Sequence, residues 1–481
     1  MKKGEEYIGI VRKMNFPNRG KVLVEMEGAE PVWVTVKGAI EGQTVRFRIQ
    51  KKKNQKVEGR LLEVVEQAKT EQEAKCVHFK DCGGCAYQTF PYEEQLAWKE
   101  KQVRELMEEV IEEPYEFLPI RKGPKTWHYR NKMEFSFGDE YKEGPLALGL
   151  HKKESFYDIL TTNHCQIVHE DYGMILDCVL QEAKESGLSF YHKMTHQGYY
   201  RNLVVRRAEK TGEILIHLVT TSQASYSFEG LKEKLLALPL EGTIAGILHS
   251  VYDGLADVVK SEKTEVLYGR EYITEELLGL QFKISTFSFF QTNSLGAEVL
   301  YQTAREFIGD TNEKVVFDLY SGTGTIAQIV APVAKQVVGV EIVEEAVESA
   351  KENAERNGLT NCEFIAGDVL KVLDSIEEKP NLIILDPPRD GIHPKALEKI
   401  IAYGVEKMVY ISCKPTSLQR DLVMLQEKGY KVEKVCAVDM FPMTVHVETV
   451  VLLGNQKTKP DSHIKLSVDM DEFNKVKNGE K

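Results

Sequence analysis

The chain has 481 residues, 42% hydrophobic and 28% charged, with a formal net charge of −12. That length exceeds one compact core and implies two to four domains. No apolar run of about 18 residues exists, so no membrane-spanning helix and no membrane partner are expected. The opening Met1-Lys2-Lys3-Gly4-Glu5-Glu6 has no apolar stretch behind its lysines. A signal peptide is therefore not expected, and a cytoplasmic location is.

Residues 5–65 read as five short strands, Tyr7–Val11, Lys21–Glu25, Pro31–Val36, Thr44–Ile49 and Leu61–Val65, punctuated by Gly and Asn. Such spacing predicts a small OB-like barrel over 1–66. Net negative charge argues mildly against a nucleic-acid partner, but binding needs only a local basic footprint. Residues 46–60 offer one: Arg46, Arg48, Lys51, Lys52, Lys53, Lys56 and Arg60 stand against Glu58 alone. On charge alone a solvated hairpin face is an equally good reading.

A polar linker over 66–75 leads to a cysteine cluster and then to a helical stretch over about 91–112. Strands such as Lys132–Phe137, Leu203–Arg206 and Glu213–Val219 alternate with helices, so 67–290 is expected to be a central α+β domain. From about 296 near-continuous apolar runs alternate with helices, as in a buried parallel sheet. They are Val315–Leu319, Val337–Glu341, Glu363–Ile365, Leu382–Asp386, Met408–Ser412, Val432–Cys436 and Val447–Leu453. The last two leave no room for a helix and predict an antiparallel pair at one edge. The multidomain chain thus ends in a Rossmann-like α/β domain of seven strands over 291–454, with a polar tail over 455–481.

Asp318-Leu319-Tyr320-Ser321-Gly322-Thr323-Gly324 closes a strand and opens a helix, where glycine lets the backbone approach a ligand. About 20 residues on, Glu341 ends the next strand, where an acid can hold ribose hydroxyls. A nicotinamide enzyme fits this much. Asp368 and Asp386 then end the third and fourth strands, and acids at successive tips suit a mononucleoside with a cationic sulfonium better than a pyrophosphate. Each such acid also serves as a helix N-cap. Asp386-Pro387-Pro388 is the mark of amino-group methyltransferases when an aromatic follows; here Arg389 follows. That leaves room for carbon chemistry.

Pyrimidine C5 is a poor nucleophile until a thiolate adds at C6, and a base must later remove the C5 proton. Cys413 ends the fifth strand, in Ser412-Cys413-Lys414-Pro415. Lys414 and local backbone dipoles are expected to lower its pKa. Glu448 enters an apolar strand, where desolvation raises its pKa toward the range of a general base. His446 is the rival base. Cys178, Cys362 and Cys436 lie in apolar surroundings and read as core. Cys76, Cys82, Cys85 and the distant Cys165 have the chemistry to ligate one zinc ion or an iron–sulfur cluster, and spacing alone leaves both open.

These motifs, with Ser288-Phe289-Phe290-Gln291-Thr292-Asn293-Ser294 and Phe441-Pro442-x-Thr444-x-His446-x-Glu448, resemble the bacterial RNA uracil-5-methyltransferases, in particular the 23S ribosomal-RNA branch. The resemblance covers about residues 5–453. It implies S-adenosyl-L-methionine held by Gln291, Tyr320, Glu341 and Asp386, with Cys413 as nucleophile and Glu448 as proton acceptor. It implies a TRAM domain at the N-terminus and a [4Fe-4S] cluster on Cys76, Cys82, Cys85 and Cys165. Arg130 falls in a motif that faces the RNA, and the target uridine would leave its stack to reach Cys413. A monomer acting on 23S rRNA is the expectation. A tRNA enzyme of the same family, a non-catalytic RNA-binding iron–sulfur protein and an amino-group methyltransferase are the alternatives.

Overall fold

The computed structural model describes residues 1–458 except 27, 54, 55, 257, 258, 374, 375, 377 and 378. From 459 on, the expected polar tail lies outside the described residues. Its first residues finish the last strand and make a short 3-10 turn.

Five strands, Glu6–Asn15, Arg19–Met26, Ala29–Lys37, Thr44–Lys53 and Lys56–Glu66, close into a barrel. Thr44–Ile49 alternates inward and outward residues, the period-two pattern of a half-buried strand. Val22, Val34, Val45 and Phe47 fill the interior. The three arginines of the basic run at 46–60 are paired. Arg46 pairs with Glu6 and Glu63, Arg48 with Glu6, and Arg60 with Glu154 of the central region. The outer face of the first three strands carries further positive charge. Lys13 pairs in register with Lys21, Lys21 with Thr35, and Arg19 with Lys37. Burial depresses the Lys21 pKa, and repulsion from Lys13, Arg19 and Lys56 depresses it further, with Glu58 opposing. Trp33, 47% exposed, stands on this barrel beside Leu23.

The central region is a seven-stranded sheet, in the order 263–269, 243–251, 213–220, 200–207, 132–139, 146–151, 159–161, with helices Glu170–Ser186 and Glu229–Leu236. Phe135, Tyr172, Leu176, Val205 and Ile216 form its core.

The last sheet has eight strands rather than seven, in the order 362–366, 334–341, 311–319, 382–385, 407–412, 448–455, 430–439, 116–122. The first five are parallel. Glu448–Asn455 runs antiparallel to both neighbours, so the final pair is antiparallel as expected. It does not form the sheet's edge, because Glu116–Lys122 adds beyond it, parallel to Tyr430–Asp439. Pro119 masks that strand in the sequence, yet an edge position tolerates a residue without an N–H. Helix Tyr92–Glu108 precedes it and buries Val103 and Met107 in the same core as Leu319, Leu385 and Tyr410. Among the described residues no helix is long and apolar enough to cross a membrane.

Candidate active site

The carboxyl ends of the parallel strands bring Asp318, Glu341, Asp386 and Cys413 to one edge of the sheet. Glu448 reaches the same edge because its strand runs the other way. Ser412 and Thr449 are register partners, so Cys413 and Glu448 stand one step further along two adjacent strands.

Glu448 is 4% exposed, and burial pushes its pKa up to about 8, with Asp386 adding to the rise and Arg389 opposing it. Burial alone lifts Asp386 to about 7. The half-buried Cys413 is pushed up to about 11 by burial and by the charges of Glu448 and Asp386, against Arg389 and its own backbone N–H. This corrects the sequence reading. Net, the thiol's pKa rises rather than falls, and its cation is Arg389. Lys414 extends outward, its ammonium 3.9 Å from Asp390. His446 is a weaker base than expected: desolvation and the charges of Arg389, Lys99 and Arg130 press its pKa down to about 4. It lies in the turn before the strand, not on a shared strand face with Glu448.

The glycine loop turns at three left-handed residues, Tyr320 (φ +69°), Gly322 (φ +54°) and Gly324 (φ +71°). A Cβ on Gly324 would come within 2.5 Å of the Phe364 ring, so only glycine fits there. The Glu341 carboxylate braces the loop, accepting from Gly322 N and Val343 N at 3.0 Å each. Its remaining lone pairs are suited to a diol. Asp318 Oδ2 accepts from Ala327 N at 3.0 Å, whereas Asp318 Oδ1 and Ser321 Oγ are buried without a partner. Unsatisfied buried acceptors beside a glycine turn fit a bound polar, cationic ligand. Burial raises the Asp318 carboxyl well above the usual range. Asp318 is a site residue whose motif alone assigns it no role. Gln291 hydrogen-bonds the Tyr301 hydroxyl, and its carbonyl accepts from Asn131 Nδ2 at 2.9 Å. Tyr320, half-buried, has its hydroxyl pushed up to about 12 by burial. Asp368 caps the helix Val369–Val372 through Leu370 N at 2.9 Å. Phe289, 69% exposed, accepts at its carbonyl from Thr323 and lies 3.8 Å from where a Cβ on Gly322 would be. Nothing in local sequence marks it as a neighbour of the loop.

Cys76, Cys82, Cys85 and Cys165 gather at a second place. Burial raises the Cys82 thiol, lifts Cys85 to about 11 and lifts Cys165 to about 12. Each of these three also feels charge on one or more of the other thiols in the set. Gly84 N points at Cys82 Sγ from 3.4 Å. Among the described residues no three or more His, Cys, Asp or Glu side chains stand ready to hold one metal ion.

The tRNA (Uracil-5-)-methyltransferase family model matches residues 247–456. An uncharacterized RNA methyltransferase of Clostridium tetani is 50% identical over 458 residues, 95% of this chain and 99% of that protein. One from Caldanaerobacter subterraneus subsp. tengcongensis is 50% identical over 453 residues, 94% of this chain and 99% of that protein. The crystal structure of Pyrococcus abyssi tRNA (uracil-54, C5)-methyltransferase in complex with S-adenosyl-L-homocysteine matches with a TM-score of 0.73 at 25% identity, covering 93% of this chain and 99% of that one. A fold of this kind, with a glycine loop and an acid-rich strand edge, defines a nucleoside-cofactor transferase. The chain belongs to the RNA (uracil-5-)-methyltransferase family and is an S-adenosylmethionine-dependent enzyme of that class.

Proposed function

We propose that the chain methylates C5 of a uridine in 23S ribosomal RNA through a covalent adduct between Cys413 and C6. The observation that carries this is the pairing of Cys413 with a buried carboxylate, Glu448, whose pKa of about 8 suits proton abstraction near neutral pH. S-adenosylmethionine, when bound, supplies the electrophilic methyl group. Gln291, Tyr320, Glu341 and Asp386 would hold it, Glu341 at the ribose. Cys413 gives its proton to water and the thiolate adds to C6, which makes C5 enolate-like and able to attack. Glu448 then accepts the C5 proton, the C5=C6 bond re-forms, and the thiolate leaves. Arg389 moderates the charge of Cys413 and Glu448 through these steps.

The barrel is the RNA-positioning TRAM module in this reading. Its support is the cluster of Lys13, Arg19, Lys21 and Lys56 with the exposed Trp33, cations for phosphates and a ring for a base. Arg130 contributes from the central region. We base a [4Fe-4S] cluster on Cys76, Cys82, Cys85 and Cys165 on the charge these thiols feel from one another and on the ribosomal-RNA branch that their pattern resembles. It would have a structural role. Iron and acid-labile sulfide in equal amounts in protein purified without oxygen would bear this out; zinc alone would overturn it. The enzyme acts in the cytoplasm as a monomer.

RNA carrying 5-fluorouridine, mixed with protein and cofactor, should give a covalent band on a denaturing gel that depends on Cys413. Methyl transfer without such a band would overturn the mechanism. The names of the family model and of the Pyrococcus abyssi enzyme favour a tRNA target as the second reading. Mapping 5-methyluridine in 23S rRNA and tRNA from a deletion strain decides between them.

A further inference from the structure

The four carbonyls leading toward Glu448 are each held from a different part of the chain. Met440 O accepts from Asn293 Nδ2 at 2.7 Å, Phe441 O from Lys99 Nζ at 3.1 Å, and Pro442 O from the Tyr129 hydroxyl at 2.9 Å. Met443 O accepts the backbone N–H groups of Ala86 and Tyr87 at 2.8 and 3.1 Å. Met443 has φ +66°, a left-handed conformation that costs a non-glycine residue energy and persists only where surroundings impose it. Its N–H donates to Gln95 Oε1 at 3.0 Å. Gln95 is fully buried, and its Nε2 donates to Tyr87 O and Phe90 O at 3.0 and 2.9 Å. One amide thus ties helix Tyr92–Glu108, the segment after Cys85 and the turn before Glu448 together. Tyr87 and Phe90 also pack with Met14 and Ile40 of the barrel and with Val445. None of these bonds reaches 412–415, where Cys413 sits.

We infer that Gln95, with Ala86, Tyr87 and Tyr129, positions Glu448 for proton abstraction and leaves thiol addition untouched; this rests on the covalent mechanism proposed above. In that half-reaction Glu448 takes the C5 proton, the C5–H electron pair re-forms C5=C6, and the C6–S bond breaks to return the Cys413 thiolate. A loosened turn slows this half and lets the methylated adduct accumulate. Because Ala86 follows Cys85 directly, the segment carrying Cys76, Cys82 and Cys85 shares one joint with the base.

The test is Gln95→Met in the full chain, which keeps the side chain's length and removes its hydrogen bonds. Adduct formation on 5-fluorouridine RNA should stay within about twofold of wild type, while kcat on ordinary RNA falls about tenfold or more with little change in KM. Covalent complex should build up on ordinary RNA, and amides over 440–447 should exchange faster while those of Pro415–Glu427 do not. Equal loss of adduct formation and turnover, or unchanged turnover, overturns the inference. Tyr129→Phe removes the single bond to Pro442 O and should show the same split, smaller; it decides by the same criteria if Gln95→Met does not fold. If wild-type protein forms no adduct on 5-fluorouridine RNA, the covalent mechanism has failed. The exchange rates then still report whether Gln95 holds the turn.

Discussion

Cys413 and the thiols of Cys85 and Cys165 all sit where burial pushes their pKa up, to about 11 for the first two and about 12 for the third. Their neighbours differ in kind. Around Cys413 stand two carboxylates and one guanidinium, so its ionisation is tied to the proton state of Glu448 and Asp386. Around Cys85 and Cys165 stand chiefly other thiols, with Lys153 lowering Cys85 slightly. The first setting lets a proton move; the second holds its thiols neutral, and the proposed cluster would displace their protons. Composition alone would have grouped these cysteines together.

The sharpest way to break this contrast is Cys413→Ala, which should abolish the covalent band and lower methyl transfer by about 10⁴-fold or more. Retention of the band would move the nucleophile elsewhere. Glu448→Gln should lower turnover by about 10²–10⁴-fold on ordinary RNA while a Cys413-linked RNA complex persists. Loss of the complex as well would mean that Glu448 acts before addition. The pH profile comes next. Glu448 works ionised and titrates near 8, and Cys413 near 11, so both raised acids gain activity as protons leave. Single-turnover rates should climb from pH 6 through 8, with no falling limb below 9. A rate already flat from pH 6 upward would return His446, with its pKa pressed down to about 4, to contention. Cys82→Ala should leave Cys413 able to form its adduct but lose bound metal. Tm should fall by on the order of 2–4 °C for each kcal/mol of ligation lost, read by calorimetry. The smallest effect is expected at the barrel. Lys21→Ala should weaken RNA binding several-fold at most and reduce the slope of log affinity against log salt by about 1.

Much of the site was legible because its signals are local. A strand ending in Asp318, a glycine turn and a helix start occupy a dozen residues, and Gly324 is there because Phe364 allows no side chain. Glu341 was legible as a strand-tip acid. Its bracing of Gly322 was not, since that bond spans 19 residues. The pairing of Arg48 and Arg60 within the basic run was not legible because their partners, Glu6 and Glu154, are remote in sequence. A further cationic face is assembled from single residues on adjacent strands.

By itself the sequence determined the kind of chemistry: which residues can donate, accept or attack, and the order of strands that delivers them to one edge. The tertiary structure decided how strong each group is and what holds it. Glu448 owes its pKa of about 8 to burial between two strands, and Cys413 takes its cation from Arg389 rather than the adjacent Lys414. Pro119 sits in a strand because that strand is an edge. The turn before Glu448 is held by residues up to 357 positions away, from Ala86 to Met443. Burial, charge and hydrogen bonding are sums over atoms near in space, and only the folded chain says which atoms those are.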